Sequence, residues 1–279
     1  ADDRQLTYGA RSYTFNAAGD LVERTGDGPQ ATEFDYDAVG LLRAITLGDG
    51  TEVAYRYDGA DRRVARLVDG SVERGWVYGA GPSPLAALDS NGDVVARYAY
   101  GVTGDTPDYA ISGGQVLTVL SDITDTPRLV VADDGTVVER LDIDEFGAIT
   151  SDLDAWTILP VGYRGGMLDG DTGLVRFGAR DYDPTTGGFT GRDPILFAGG
   201  QANLYLFAAG DPVNRHDPTG TGPSVPDASG GAACPAPTST TGVGVSGSLS
   251  IGPGGVGGSL GVATDGNRPA IQLTISGGF

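Results

Sequence analysis

A repeat constrains this chain more than any other feature. An aromatic–x–aromatic triplet followed by Asp, Asn or Gly puts its second aromatic at Phe15, Tyr36, Tyr57, Tyr78 and Tyr100, spacings of 21, 21, 21 and 22 residues. The copies read Tyr13-Thr14-Phe15-Asn16 with Gly19, Phe34-Asp35-Tyr36-Asp37 with Gly40, and Tyr55-Arg56-Tyr57-Asp58 with Asp61 where the others have Gly. Trp76-Val77-Tyr78-Gly79 and Tyr98-Ala99-Tyr100-Gly101 continue the series, and Leu141-Asp142-Ile143-Asp144 with Gly147 is a worn copy. A fixed period means one supersecondary unit used again and again, each burying an apolar face that it cannot cover alone.

Each unit reads as a strand and a turn. In Thr51-Glu52-Val53-Ala54-Tyr55-Arg56-Tyr57 apolar residues alternate with polar or small ones, the pattern of a half-buried strand. Asp58-Gly59, Asn91-Gly92, Asp49-Gly50 and Asp134-Gly135 are hairpin-turn signals. Leu41 to Thr46 and Asp93 to Tyr98 supply partner strands. No segment keeps a helical period beyond about two turns. The expected fold class is all-β, and the 47 glycines among 279 residues fit a turn-rich sheet protein.

Charge removes several function classes. Asp and Glu number 37 against 18 basic residues, a formal charge of −19, and every basic residue is Arg. Such a surface repels phosphate backbones and anionic lipid, so no nucleic-acid partner is expected. Without Lys, Schiff-base and Ser–Lys chemistry are excluded within these residues. The single cysteine, Cys234, allows no intrachain disulfide and no Cys-rich zinc site. No apolar run approaches the roughly 18 residues of a membrane helix. The polar opening Ala1-Asp2-Asp3-Arg4 is expected to be the middle of something longer.

An aromatic-Asp-x-x-Gly hairpin repeat of this period resembles the YD repeats of RHS proteins, toxin-complex C subunits and teneurins. The segment from Gly162 to Gly220 sharpens the likeness. Thr172-Gly173-Leu174-Val175-Arg176-Phe177-Gly178-Ala179-Arg180-Asp181-Tyr182-Asp183-Pro184 leads to Gly187-Gly188-Phe189-Thr190-Gly191-Arg192-Asp193-Pro194-Ile195. Gly199-Gly200, Asn203-Leu204-Tyr205, Asp211-Pro212-Val213-Asn214 and Asp217-Pro218-Thr219-Gly220 complete it. Together these motifs are similar to the RHS repeat-associated core domain, and the resemblance covers about residues 7 to 220.

The resemblance implies an antiparallel β-spiral or shell wall over 1–150 and a core plug over 151–220. A Gly/Pro/Ser-rich linker over 221–241 and a variable Gly-rich β-hairpin tail over 242–279 would follow. It also implies a secreted or cell-surface protein of the bacterial polymorphic-toxin kind. Its partners would be upstream YD repeats, its own C-terminal segment as cargo, and a delivery apparatus. In several relatives the core cuts its own chain after the last Asp-Pro-x-Gly by aspartic-protease-like chemistry. By motif the catalytic residues fall on Arg180, Asp193 and Asp217, and the cleavage site on Thr221 and Gly222; the family commonly has Leu where this chain has Thr221. No cofactor and no metal is implied.

The chemistry is coherent in its own right. Two carboxylates brought together share a proton, because both cannot ionise comfortably. The ionised member activates a water, the protonated one hydrogen-bonds the scissile carbonyl, and a buried Arg stabilises the oxyanion. The plainer reading makes the Asp-Pro pairs at 183, 193, 211 and 217 ordinary turns and Arg180 a buried charge partner. Function then divides three ways: a self-cutting shell, a scaffold for adhesion or recognition that never cuts, or packaging for an effector tail.

Three further signals carry little. Gly242-Val243-Gly244-Val245-Ser246-Gly247 matches a dinucleotide pattern without its strand–helix context. Asp89-Ser90-Asn91-Gly92-Asp93 resembles a calcium loop but has Tyr100 at the twelfth position, so a solvated turn is expected. His216 and Cys234 lie in different segments and do not suggest a nucleophile pair.

Overall fold

The computed structural model describes residues 3–26, 28, 30–101, 105–150 and 157–223, and the backbone of 257–265 and 268–276. Fourteen strands form one antiparallel sheet. They are β1 (Thr7–Tyr8), β2 (Arg11–Phe15), β3 (Leu21–Thr25), β4 (Thr32–Tyr36), β5 (Leu42–Thr46), β6 (Glu52–Tyr57) and β7 (Arg63–Val68), followed by β8 (Ser71–Tyr78), β9 (Pro84–Leu88), β10 (Val94–Ala99), β11 (Tyr109–Ser112), β12 (Gln115–Ser121), β13 (Pro127–Ala132) and β14 (Val137–Arg140). Each strand pairs only with its neighbours in sequence, and the sheet stays open, with β1 and β14 at its edges.

One five-residue turn recurs and explains the repeat's Asp and Gly. In residues 37–41 the Asp37 N–H donates to the Leu41 carbonyl and the Gly40 N–H donates to the Asp37 carbonyl. The Asp37 carboxylate then accepts from the N–H groups of Val39 and Leu41, both at 3.0 Å. The main-chain bonds recur from Asn16, Asp58, Asp89, Asp122 and Asp144. An Asx side chain suits the first position because it satisfies turn N–H groups that no strand can reach, while the same turns at Leu47 and Ala132 take their caps from Asp49 and Asp134. The fourth position lies in the left-handed region, φ +88° at Gly40 and +59° at Asp61. Glycine adopts that conformation without strain and Asp tolerates it, which explains the substitution at Asp61.

The two aromatics have separate tasks. The first, at Tyr13, Phe34, Tyr55 and Tyr98, is buried in the wall's apolar face. In three copies the second sends its hydroxyl back to a main-chain carbonyl. Tyr57 reaches Leu42 at 2.7 Å, Tyr78 reaches Arg63 at 2.7 Å, and Tyr100 reaches Pro84 at 2.8 Å. The worn copy forms its turn as well, closed by a bridge between Ile143 and Ile149. The Asp89 loop is such a turn, its carboxylate accepting from the N–H groups of Asn91 and Asp93.

A second, four-stranded antiparallel sheet follows: β15 (Met167–Leu168), β16 (Val175–Phe177), β17 (Arg180–Asp183) and β18 (Gly188–Phe189). Tyr163, Val175, Phe177, Tyr182, Phe189 and Phe207 make its core. Alternation along β16 and β17 turns Arg176 and Asp181 to the other face, directly paired in register. There the small sheet meets the wall through buried ion pairs, Arg24–Asp183 at 3.2 Å, Arg63–Asp181 at 2.8 Å and Arg66–Asp169 at 2.8 Å. Leu174 adds an apolar contact by joining the wall core around Tyr13, Phe34 and Tyr55.

The chain divides into two compact units, Ala1–Ala228 and Ser229–Phe279. In the second, β19 (Gly257–Asp265) pairs antiparallel with β20 (Arg268–Ser276), from Gly257 opposite Ser276 to Asp265 opposite Arg268. The dinucleotide-like run 242–247, Cys234 and linker residues 224–241 lie outside the described residues.

Candidate functional site

The three residues singled out from sequence converge in the first unit. Arg180 opens β17 with its side chain buried, and its guanidinium lies 3.6 Å from the Phe189 ring centroid. Its Nη2 stands 3.1 Å from Asp193 Oδ2 and 3.1 Å from Asp217 Oδ2. Its Nη1 donates to the Leu204 carbonyl at 2.9 Å and its Nε donates to the Gly220 carbonyl. One cation therefore serves two buried carboxylates and two main-chain oxygens. Burial pushes the Arg180 pKa down, against the charges of Asp193 and Asp217.

Asp193 and Asp217 stand in different surroundings. Asp193 sits just before a 3-10 turn, Leu196–Gly199, and its Oδ1 accepts the Ile195 N–H at 2.9 Å. Burial pushes its carboxyl above the ordinary range, although Arg180 and the Ile195 N–H pull it down. Asp217 is 0% exposed. Its Oδ1 accepts the N–H groups of Thr221 at 3.0 Å and Gly222 at 3.1 Å, and Oδ2 also takes Gly222 at 3.1 Å. The carboxylate thus holds the N–H on each side of the Thr221 carbonyl.

Close main-chain approach locks this segment. A side chain on Gly220, at φ +64°, would meet the Phe177 carbonyl oxygen at 2.2 Å, and one on Gly178, at φ +43°, the Thr219 oxygen at 2.2 Å. The Ala179 N–H donates to the Thr219 carbonyl at 2.9 Å, so residues 217–222 run along the end of β16 and β17. A methyl on Gly199 would fall 2.7 Å from Asp193 Oδ2 and 2.7 Å from the Thr221 carbonyl oxygen. Those two oxygens are therefore no more than twice 2.7 Å apart.

Sequence reasoning did not single out Phe189, the Leu204 carbonyl or Gly199 as site groups. Gly199-Gly200 was visible as a motif element, but its reason is a steric one that appears only once Asp193 and Thr221 are seen beside it. His216 lies next to Asp217 in sequence, and burial lowers its pKa. Among the described residues no cluster of His, Cys, Asp and Glu could hold a metal ion, and no helix is long and apolar enough to cross a membrane.

Comparison with known proteins identifies the architecture. A family model described as teneurin YD-shell matches residues 1–213. The chain belongs to the teneurin YD-shell family. Relatives of this YD-shell chain include teneurin-3 of Mus musculus, 31% identical over 232 residues, 77% of this chain and 8% of that protein. Teneurin-4 of Homo sapiens is 29% identical over 224 residues, 76% of this chain and 8% of that protein. The tRNA3(Ser)-specific nuclease WapA of Bacillus spizizenii is 27% identical over 205 residues, 71% of this chain and 9% of that protein. The chain thus spans less than a tenth of these relatives. The crystal structure of TcdB2-TccC3-TEV shares the fold with a TM-score of 0.51 at 16% identity, over 75% of this chain and 13% of that one. The crystal structure of TcdB2-TccC3 without hypervariable C-terminal region gives the same values. As a member of the YD-shell family the chain is an RHS/YD shell scaffold.

Proposed function

We propose that this YD-shell segment is wall and plug of a capsule for a C-terminal segment, and that the plug cuts the chain between Thr221 and Gly222. In this reading residues 1–150 are wall, 151–220 plug, 221–241 linker and 242–279 the variable tail, the cargo or its remnant. Upstream repeats complete the wall, a delivery apparatus is the partner, and the protein works outside the cell or at its surface. The observation that carries the reading is Asp217's grip on the Thr221 and Gly222 N–H groups while it shares Arg180 with Asp193.

The roles follow from the environments. Asp193, its carboxyl pushed up by burial, is the member placed to offer a proton to the Thr221 carbonyl oxygen nearby. Asp217, paired with Arg180, is placed to accept a proton from the attacking water. Water oxygen adds to the Thr221 carbonyl carbon, the Thr221–Gly222 C–N bond breaks, and a proton passes to the Gly222 nitrogen. The products are a Thr221 carboxylate and a Gly222 amine. Arg180, through Gly220, holds the peptide while charge develops.

A second reading keeps the scaffold and drops the cut. Asp217 bonds the N–H four residues on, as the repeat's Asp37 and Asp58 do, and so acts as a turn cap locked by Arg180. Intact mass at neutral pH decides, with wild type beside Asp193→Asn and Asp217→Asn. Two fragments meeting at Thr221–Gly222 in wild type alone support the cutting plug. One uncut 28.5 kDa chain in all three leaves the scaffold.

A further inference from the structure

A cavity of about 460 Å³ lies where the turn after β6 and the loop between β8 and β9 face the plug. That is within the roughly 300–1,000 Å³ range of small-molecule sites. Its charged lining runs against the whole chain. Arg62, Arg63, Arg164 and Arg176 line it, against Asp61 and Asp105 alone, in a protein where acidic residues outnumber basic ones 37 to 18.

Two of these guanidiniums are incompletely partnered. Arg164 is buried at the left-handed φ of +51°, and among the described residues its side chain donates to the main-chain carbonyls of Thr124 and Arg215 alone. Among the described residues it makes no ion pair, with Asp122, Asp125 and Asp211 acting on it only through their charge, and its Nε has no acceptor. Arg176 gives Nη1 to Asp181 at 2.8 Å, while its buried Nη2 has no acceptor. Asp181 is already divided, since its other oxygen takes Arg63 at 2.8 Å. Burial makes a cation costly to keep charged, and a buried N–H without an acceptor adds to that cost. Both costs vanish if an oxyanion enters the cavity. Most of the rest of the lining is apolar, with Tyr78, Pro82, Val161, Met167 and Phe177.

We propose that this cavity is a binding site for a small organic carboxylate with an apolar body, its oxygens on Arg164 and Arg176 and its body against Met167 and Phe177. A carboxylate fits because its planar pair of acceptors matches the guanidinium fork. A bare inorganic anion would leave the apolar wall unused. Pro218 and Thr219 also line the cavity, so the occupant braces the stretch that follows Asp217.

The test is calorimetric titration of the full chain with 3-phenylpropionate, beside its neutral amide and inorganic phosphate. The expected result is saturable one-to-one binding of the carboxylate, with the amide and phosphate at least ten-fold weaker. Arg164→Gln is expected to weaken binding at least ten-fold. Ala60→Trp, at an exposed position on the cavity wall, keeps every arginine and is expected to abolish binding. If thermal melts show Arg164→Gln unfolded, Ala60→Trp decides alone. No saturable binding at millimolar carboxylate, equal binding of the amide, tighter binding of phosphate, or full affinity in folded variants would each overturn the proposal.

Discussion

Arg63 on the wall and Asp181 on the plug meet at 2.8 Å, each side chain 2% exposed, although 118 residues separate them in the chain. Arg63 also lies 3.5 Å from the Tyr55 ring centroid, so a repeat aromatic holds the cation that the plug requires. Removing the carboxylate would leave Arg63 and Arg176 facing each other without compensation. Asp181→Asn is expected to destabilise the fold by about 3–5 kcal/mol, read from urea unfolding midpoints. An unchanged midpoint would mean that the wall–plug contact does not depend on this pair.

Acid should loosen the same interface through Asp169. Burial raises its carboxyl pKa, but the charge and hydrogen bond of Arg66 outweigh it, so the folded value lies below the ordinary one. A depressed folded pKa contributes stability above the unfolded value, about 3.9, and loses it as pH falls through the folded value. Wild type is expected to keep this contribution down to about pH 4 and lose it below. Asp169→Asn should be less stable at neutral pH and show a smaller loss between pH 4 and 2. Parallel stability curves for the two proteins would contradict this.

Asp125 has the opposite sign. Burial pushes its carboxyl up to about 6. The folded state therefore holds a proton that the unfolded state has released, and stability falls as pH rises from about 4 to 6. Asp125→Asn keeps an acceptor for the Asp105 N–H and suits the left-handed φ of +62°. The melting temperature of Asp125→Asn is expected to exceed wild type at pH 7.5 and match it near pH 4. A variant less stable than wild type at pH 7.5 would reject the argument.

Gly199→Ala tests the site without touching a titratable group. Its methyl would fall 2.7 Å from both Asp193 Oδ2 and the Thr221 oxygen, well inside ordinary contact. If the plug cuts at Thr221–Gly222, this variant should show intact mass where wild type shows fragments. Fragments at the wild-type rate would exclude the proposed approach of Asp193 to Thr221.

Local features of the fold were readable from sequence and long-range ones were not. The turns after Phe15, Tyr36 and Tyr57 announce themselves because left-handed φ selects Gly or Asp and the turn N–H groups select Asx. The same turn at 122–126 escaped notice. No aromatic pair precedes it, and Asp125 stands where Gly would have marked it. Arg180, Asp193 and Asp217 could be grouped by motif, but nothing local reveals that Arg180 bonds both carboxylates and the Gly220 carbonyl. Arg24, Arg63 and Arg66 read as ordinary strand positions. Their partners lie 103 to 159 residues downstream, beyond the reach of periodicity.

The strictly sequential pairing of β1 through β14 also dictates an order of events during synthesis. Each hairpin needs only the strand made just before it, so loop closure is inexpensive and the meander can zip up as it leaves the ribosome. Arg66 can pair within the wall with Glu73, whereas the plug carboxylates Asp169, Asp181 and Asp183 are translated after the last wall strand. For that interval Arg63 has yet to meet Asp181, and the apolar face of Tyr13, Phe34 and Tyr55 has yet to meet Leu174. The emerging plug then brings the carboxylates and the apolar side chain that cover this face.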